Sequence, residues 1–320
     1  DSRSMSTATV RRLDQNDGVI LKLEHFDQGV DSLLVYATDR GQIRSWDLRT
    51  QKEPWSVSNS PHLGLITAFL VDPNRNWLAV GTDAGNFTCW DLRFRVPLLQ
   101  WGLPSFDGIS GIHALAADPM QNGCFWASVG PGLVTHWNLE TKQCRRVLRV
   151  SPRETGTGKS APIDWDSIMV PKDDAADAGD DFRIADLQRP LTESARSLEA
   201  HLNTIRAVTV SPTGNFVLTG GADKRLRFWN FDNPSKSCII SGKDPKEDAT
   251  YSTWESSSKR ISGMEETRSA VRDSPMASST PQAPSGAHCD TILDVKLLEL
   301  HSKKLLAVSA SRDGVIKVWK

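Results

Sequence analysis

His288, Ser309 and Asp313 are the side-chain types of a nucleophilic relay: a hydroxyl, an imidazole able to take its proton, and a carboxylate able to orient the imidazole. The set recurs as His201, Thr219 and Asp223. In both copies the carboxylate lies four residues after the hydroxyl, and a tryptophan, Trp229 or Trp319, lies six after the carboxylate. The same groups support a second chemistry, a closed chain running from indole N–H to hydroxyl, hydroxyl to imidazole and imidazole to carboxylate. Leaving one such group buried and unpaired costs about 1–3 kcal/mol. A nucleophile also needs an exposed position and an oxyanion site, and no G-x-S-x-G supplies one. Duplication around a tryptophan favours the structural chain over a hydrolase.

Other motifs are weaker. Gly156-Thr157-Gly158-Lys159-Ser160 has the end of a phosphate-binding loop, but Arg153 stands where the full pattern needs glycine and Pro162 interrupts any following helix. Asn86-Phe87-Thr88 is a glycosylation sequon inside an expected inner strand. Ser274-Pro275 and Thr280-Pro281 could accept phosphate from a proline-directed kinase. Trp46-Asp47-Leu48-Arg49 and Trp90-Asp91-Leu92-Arg93 form a tandem W-D-x-R pair. Such pairs resemble the signature of substrate receptors for cullin ubiquitin ligases, which would make Arg49 and Arg93 partner contacts; the alternative is that Asp and Arg stabilise the turn after the strand.

The elements that position these residues repeat. The chain has 11 Trp but only 2 Tyr, and Trp46, Trp90, Trp137, Trp229 and Trp319 are separated by 44, 47, 92 and 90 residues. A period of roughly 40–45 residues built from short strands is that of a propeller blade. Three residues before each Trp stands an apolar residue (Ile43, Phe87, Val134, Leu226, Ile316). Five before it stands Gly41, Gly85, Gly132 or Gly314, with Lys224 as the exception. That glycine suits a hairpin turn. Further apolar runs at 65–71, 112–117, 205–210 and 292–298 supply an upstream strand, three of them closed by Asp72-Pro73, Asp118-Pro119 and Ser211-Pro212. The fold class is therefore all-β, a WD-repeat β-propeller with five recognisable blades, in which the His/Ser-Thr/Asp/Trp sets are structural tetrads. The first three units carry Tyr36, Val80 and Ala127 in place of the hydroxyl. Their cohesion is expected to be mainly hydrophobic, each buried Trp contributing up to about 4–6 kcal/mol by area.

At about 150 residues per domain, 320 residues make two ordinary domains or one large all-β unit. Residues 1–18 are expected to hold an outer strand (Ser6–Leu13) left from an upstream blade, 19–150 three blades, 201–234 a fourth, and 288–320 a last blade ending at its third strand. Residues 151–200 are an acidic, Gly/Asp-rich insert, or else a degraded blade around 182–187. Residues 235–287 form a Ser/Pro-rich insert expected to be disordered, because its apolar content is too low to pack. Deleting 241–286 should then leave folding nearly intact. A net charge of −1, from 38 Lys+Arg against 39 Asp+Glu, argues against nucleic-acid binding or direct membrane-surface binding. Cys89, Cys124, Cys144, Cys238 and Cys289 are odd in number and widely spaced, which fits a reducing compartment without disulfides or zinc. A start at Asp1 suggests a processed chain or a fragment.

The stretches at 33–49, 64–94 with Pro97, and 309–320 resemble the C-terminal WD-repeat domain of the regulatory subunit 4 family of class III phosphatidylinositol 3-kinase, the vacuolar-protein-sorting subunits that carry a kinase-like domain. The match covers roughly 19–145, 201–232 and 288–320, and both inserts depart from it. The resemblance implies the last five blades of a seven-bladed ring, with a serine/threonine kinase-like domain and helical repeats upstream. It also implies a non-catalytic scaffold without cofactor that serves autophagy and endosomal and vacuolar sorting. The implied partners are the lipid-kinase catalytic subunit and Beclin-family and coiled-coil subunits, on endosomal, autophagic or vacuolar membranes reached only through the complex.

Overall fold

A computed structural model describes residues 10–27, 32–103, 111–151, 165–168, 204–244, 247–270, 286–300 and 304–320. Strands β1 (Ile20–Asp27), β2 (Ser32–Thr38), β3 (Gln42–Asp47) and β4 (Ser56–Ser58) form the first antiparallel sheet. The second is β5 (Ile66–Val71), β6 (Trp77–Thr82), β7 (Asn86–Asp91) and β8 (Val96–Gly102). The third starts as β9 (Ile112–Ala117), β10 (Cys124–Val129), β11 (Leu133–Asn138) and β12 (Gln143–Val150). A fourth comprises β13 (Ile205–Val210), β14 (Phe216–Gly221), β15 (Leu226–Asn230) and β16 (Cys238–Ser241). The second insert contributes β17 (Glu247–Glu255) and β18 (Ser262–Ala270), and the last sheet is β19 (Ile292–Glu299), β20 (Leu305–Ser311) and β21 (Ile316–Trp319). Among the described residues these make five blades, and within each blade the strands pair in sequence order, β17 and β18 apart.

The recurrent apolar positions pack blade against blade. Phe87 and Trp101 of the second blade, stacked 5.0 Å apart, meet Phe125 and Trp137 of the third with ring centroids 5.5–6.0 Å apart. Trp229 of the fourth blade shares a core with Trp126, Leu148 and Met264 of the third sheet. Leu218 and Leu226 pack on Ile292 and Val295 of the fifth. Gly220 is the limiting contact there, since a Cβ on it would stand 2.4 Å from Ile292 Cγ2. The turns before the anchor tryptophans use positive φ as the spacing predicts: 74° at Gly41, 80° at Gly85, 70° at Gly132 and 77° at Gly314. Lys224, the exception in sequence, adopts the same conformation at φ 66°.

Two expectations are corrected. Residues 235–287 are not wholly a disordered insert. They contain β16, the last strand of the fourth blade, and the hairpin β17–β18, whose second strand adds in parallel to β12 to give a six-stranded sheet β17-β18-β12-β11-β10-β9. Low apolar content did not prevent order, because backbone pairing and buried ion pairs hold the hairpin. At the other end, residues 10–13 carry no strand and lead into a 3-10 turn at Gln15–Asp17; the rest of the expected outer strand lies outside the described residues. Of 151–200, only Ser151 and the short helix α1 (Trp165–Ile168) are described, so the acidic run, the glycine-rich loop and the segment around 182–187 lie outside them, as do Ser274 and Thr280.

Candidate interaction surface

The second tetrad is complete. Trp319 Nε1 donates to Ser309 Oγ (2.9 Å), Ser309 Oγ is 2.7 Å from His288 Nε2, and His288 Nδ1 is 3.4 Å from Asp313 Oδ2. Ser309 is fully buried, and its hydroxyl is engaged on both sides, so this relay-like set ties β20 to β21 and to the loop before β19 and presents no nucleophile. Burial opposes ionisation of Asp313, but the backbone N–H groups of Cys289 and Val315 outweigh it and hold the carboxyl down at about 2. In the first tetrad Trp229 Nε1 donates to Thr219 Oγ1 (2.9 Å), while His201 lies outside the described residues. Asp223 is gripped by the guanidinium of Arg227, a partner that motif matching missed.

The third blade finds its own hydroxyl. Trp137 Nε1 donates to Thr135 Oγ1 at 2.7 Å, and His136 Nε2 sits 2.9 Å from Asp118 Oδ2. These polar contacts supplement the mainly hydrophobic cohesion expected of this blade, whose Phe125, Leu133, Trp137 and Val147 share one apolar cluster. Thr135 lies two residues before Trp137 and so shares its strand face, a signal present in the sequence. Trp46 and Trp90 are buried at the first two blades, and the Trp90 N–H has no acceptor among the described residues.

Asp47 and Asp91 of the W-D-x-R pair form side-chain turns after β3 and β7. Asp47 accepts from the Arg49 N–H (2.9 Å) and Thr50 Oγ1 (2.7 Å), and Asp91 accepts from the Arg93 N–H (2.8 Å). The Arg93 guanidinium folds back on Asp91 at 2.7 Å and holds that carboxyl at about 2, with burial the opposing influence. The turn-stabilising role accounts for these contacts. Arg49 is exposed, and Arg93 stacks on the exposed Phe94 ring at 5.5 Å beside a cleft lined by Trp55, Leu92 and Arg75.

The most heavily built polar feature lies where the hairpin meets the fourth blade. Arg227, 1% exposed, donates through Nε to Glu266 Oε2 (2.8 Å) and through both Nη atoms to Asp223. Arg225 Nη2 reaches Glu247 at 2.5 Å, and Tyr251 Oη donates to Glu266 at 2.9 Å. Arg268, whose guanidinium lies 3.7 Å from Glu266, donates to the Ser151 carbonyl. Three cations thus balance three carboxylates. Desolvation disfavours the ionised Asp223, yet Arg227 and Arg225 hold its carboxyl below the ordinary range. Burial and the neighbouring Glu266 charge push the Tyr251 phenol well up. On the opposite side of the hairpin, Trp165 stacks on Trp254 (4.9 Å, 10°), and Asp166 accepts from the backbone and hydroxyl of Ser258. A cleft of about 390 Å³ opens between this extended sheet and the loop after β15, lined by Arg146, Leu148, Phe231, Pro234, Trp254 and Met264 among others. No helix among the described residues is long and apolar enough to cross a membrane.

The family model described as "WD domain, G-beta repeat" matches residues 192–230 and 281–320, the fourth and fifth blades with the segments preceding them. The chain is 26% identical to the serine/threonine-protein kinase VPS15 of Arabidopsis thaliana over 97% of its own length and 21% of that protein. It is 25% identical to the probable serine/threonine-protein kinase vps15 of Dictyostelium discoideum over 98% of this chain and 21% of that one. Striatin-4 of Mus musculus is 37% identical over 56% of this chain and 23% of its own. The chain thus spans about a fifth of the VPS15 relatives it matches. The fold is a β-propeller in which WD repeats are matched at the fourth and fifth blades, and the chain is similar over almost its whole length to VPS15 kinases.

Proposed function

We propose that this chain is the non-catalytic scaffold module of a class III phosphatidylinositol 3-kinase complex, within a parent that carries a serine/threonine kinase-like domain. The observation that carries this reading is similarity to VPS15 kinases over almost the whole chain, both inserts included. A rigid array of blades contributes geometry: it holds partner-binding loops at fixed separations while bond making happens elsewhere. In that role it docks the lipid-kinase catalytic subunit and Beclin-family and coiled-coil subunits, and it reaches endosomal, autophagic or vacuolar membranes through them. Five blades would then be the last of a seven-bladed ring. Affinity purification of the tagged 320-residue chain from cells tests the reading. Co-purification of the lipid-kinase catalytic subunit with a Beclin-type subunit is expected; their absence, with the chain folded by circular dichroism, overturns it.

A further inference from the structure

We propose that the 390 Å³ cleft beside the hairpin binds a zwitterionic small molecule, an α-amino acid with a large apolar side chain. Strand register builds the site. The parallel pairing of β12 with β18 sets Arg146 against Ser262 and Leu148 against Met264. The antiparallel pairing of β18 with β17 sets Ser262 against Glu255 and Met264 against Thr253. Residues paired across strands share a face of the sheet. One row therefore reads Arg146, Ser262, Glu255, and the next reads Leu148, Met264, Thr253. Leu148 and Met264 share a core against which Phe231 packs, so this is the face that looks into the cleft. With neighbouring strands about 4.8 Å apart, the Cβ atoms of Arg146 and Glu255 stand about 10 Å from each other across Ser262.

The two charges decide the class of ligand. Arg146 lays its guanidinium on the Phe231 ring, 5.1 Å from the centroid, and neither it nor Glu255 forms an ion pair with a described residue. The cleft thus holds a cation and an anion at opposite ends of one row, unpaired with each other and separated by a hydroxyl. A ligand of single charge would be drawn to one end and repelled at the other. A purely apolar ligand would strip water from both charges and return nothing. In an α-amino acid both charges stand on one carbon together with the side chain. Its carboxylate meets Arg146, its ammonium meets Glu255, and its side chain enters the apolar row walled by Phe231 and Pro234. The volume lies near the lower end of the range for small-molecule pockets, roughly 300–1,000 Å³, which suits one amino acid.

The test is calorimetric titration of the 320-residue chain with L-phenylalanine. Three analogues each lack one feature: N-acetyl-L-phenylalanine the ammonium, L-phenylalanine amide the carboxylate, and glycine the apolar group. Saturable binding of L-phenylalanine with a dissociation constant below about 1 mM is expected. Each analogue should bind about tenfold more weakly or worse. Arg146 and Glu255 are exposed, so Arg146→Gln and Glu255→Gln should keep the melting temperature while each loses about tenfold or more in affinity. Glu255→Gln should also cease to distinguish L-phenylalanine from its N-acetyl form, which ties the ammonium to that carboxylate. The proposal is overturned by absence of saturable binding up to about 10 mM, by equal binding to both variants, or by a charge-blocked analogue that binds as tightly as L-phenylalanine. Equally tight binding of the neutral N-acetyl-L-phenylalanine amide, the mark of a plain apolar cleft, overturns it too.

Discussion

Ser309 is the residue at which a catalytic and a structural reading of the sequence part company, and its environment decides between them. Its Oγ serves the Trp319 indole and the His288 imidazole together, so Ser309→Ala strands two polar groups within the last blade. A loss of about 1–3 kcal/mol is expected, visible as a lower urea midpoint without any change in slope; an unmoved midpoint would remove the tetrad from the account of stability. The carboxylates add a pH dependence. Asp313 titrates at about 2 in the folded chain, and Asp118 and Asp223 are also held below the ordinary aspartate value of about 3.9. For groups so depressed the unfolded chain binds more protons, so the stabilisation is whole above about pH 5 and drains away as pH falls toward 2. Melting temperature should therefore drop with acid below about pH 4, and less steeply in Asp313→Asn than in the parent chain. Trp229, Thr219, Ser309 and His288 were legible in sequence because one spacing repeats. Thr135 as acceptor for Trp137 was readable only by strand alternation, since this hydroxyl lies two residues before its Trp and not ten, and Arg227 as the partner of Asp223 was not readable, being a residue type outside the motif.

The hairpin β17–β18 shows where composition misleads at the level of elements. Ser, Thr, Glu and Lys make this segment too polar for an oil-like core, and that reasoning predicts disorder. The strands are held by other means: five-residue parallel pairing with β12, nine-residue pairing with each other, and the buried Arg227–Glu266 and Arg225–Glu247 pairs. Alternation in β18, where Met264, Glu266 and Arg268 are buried between half-buried neighbours, is a strand signal once the glutamate and arginine are counted as inward-facing. Glu266→Ala leaves Arg227 fully buried with half its counter-charge, and removing one partner of a buried pair costs about 3–5 kcal/mol. Limited proteolysis should then cut within 247–270 before any other described strand; a hairpin as resistant as that of the parent chain would refute the network's role. Deletion of 241–286 is likewise expected to destabilise the third and fourth blades, contrary to the expectation from composition, because it strips Met264 from their shared core.

On the scale of the whole molecule, each blade is stable largely through its neighbours, so stability should follow a blade's place in the row. The third blade is flanked on both sides, and every residue of β10 and β11 is buried. The fifth blade packs on the fourth through Ile292 and Val295, while Leu293 and Leu298 of β19 and Ile316 and Val318 of β21 remain 51–70% exposed. Few buried apolar contacts mean a small free energy for local opening. Native-state hydrogen exchange should therefore find β21 amides exchanging about a hundredfold or more faster than those of β11, with β14 and β15 between them. The seam between the fourth and fifth blades makes the ordering testable by mutation. A methyl group on Gly220 would collide with Ile292, so Gly220→Ala should accelerate exchange in β19–β21 while leaving β10 and β11 nearly unchanged. If β21 proves as protected as β11, or if Gly220→Ala loosens all five blades equally, the chain opens as one cooperative unit and the blade-by-blade account fails.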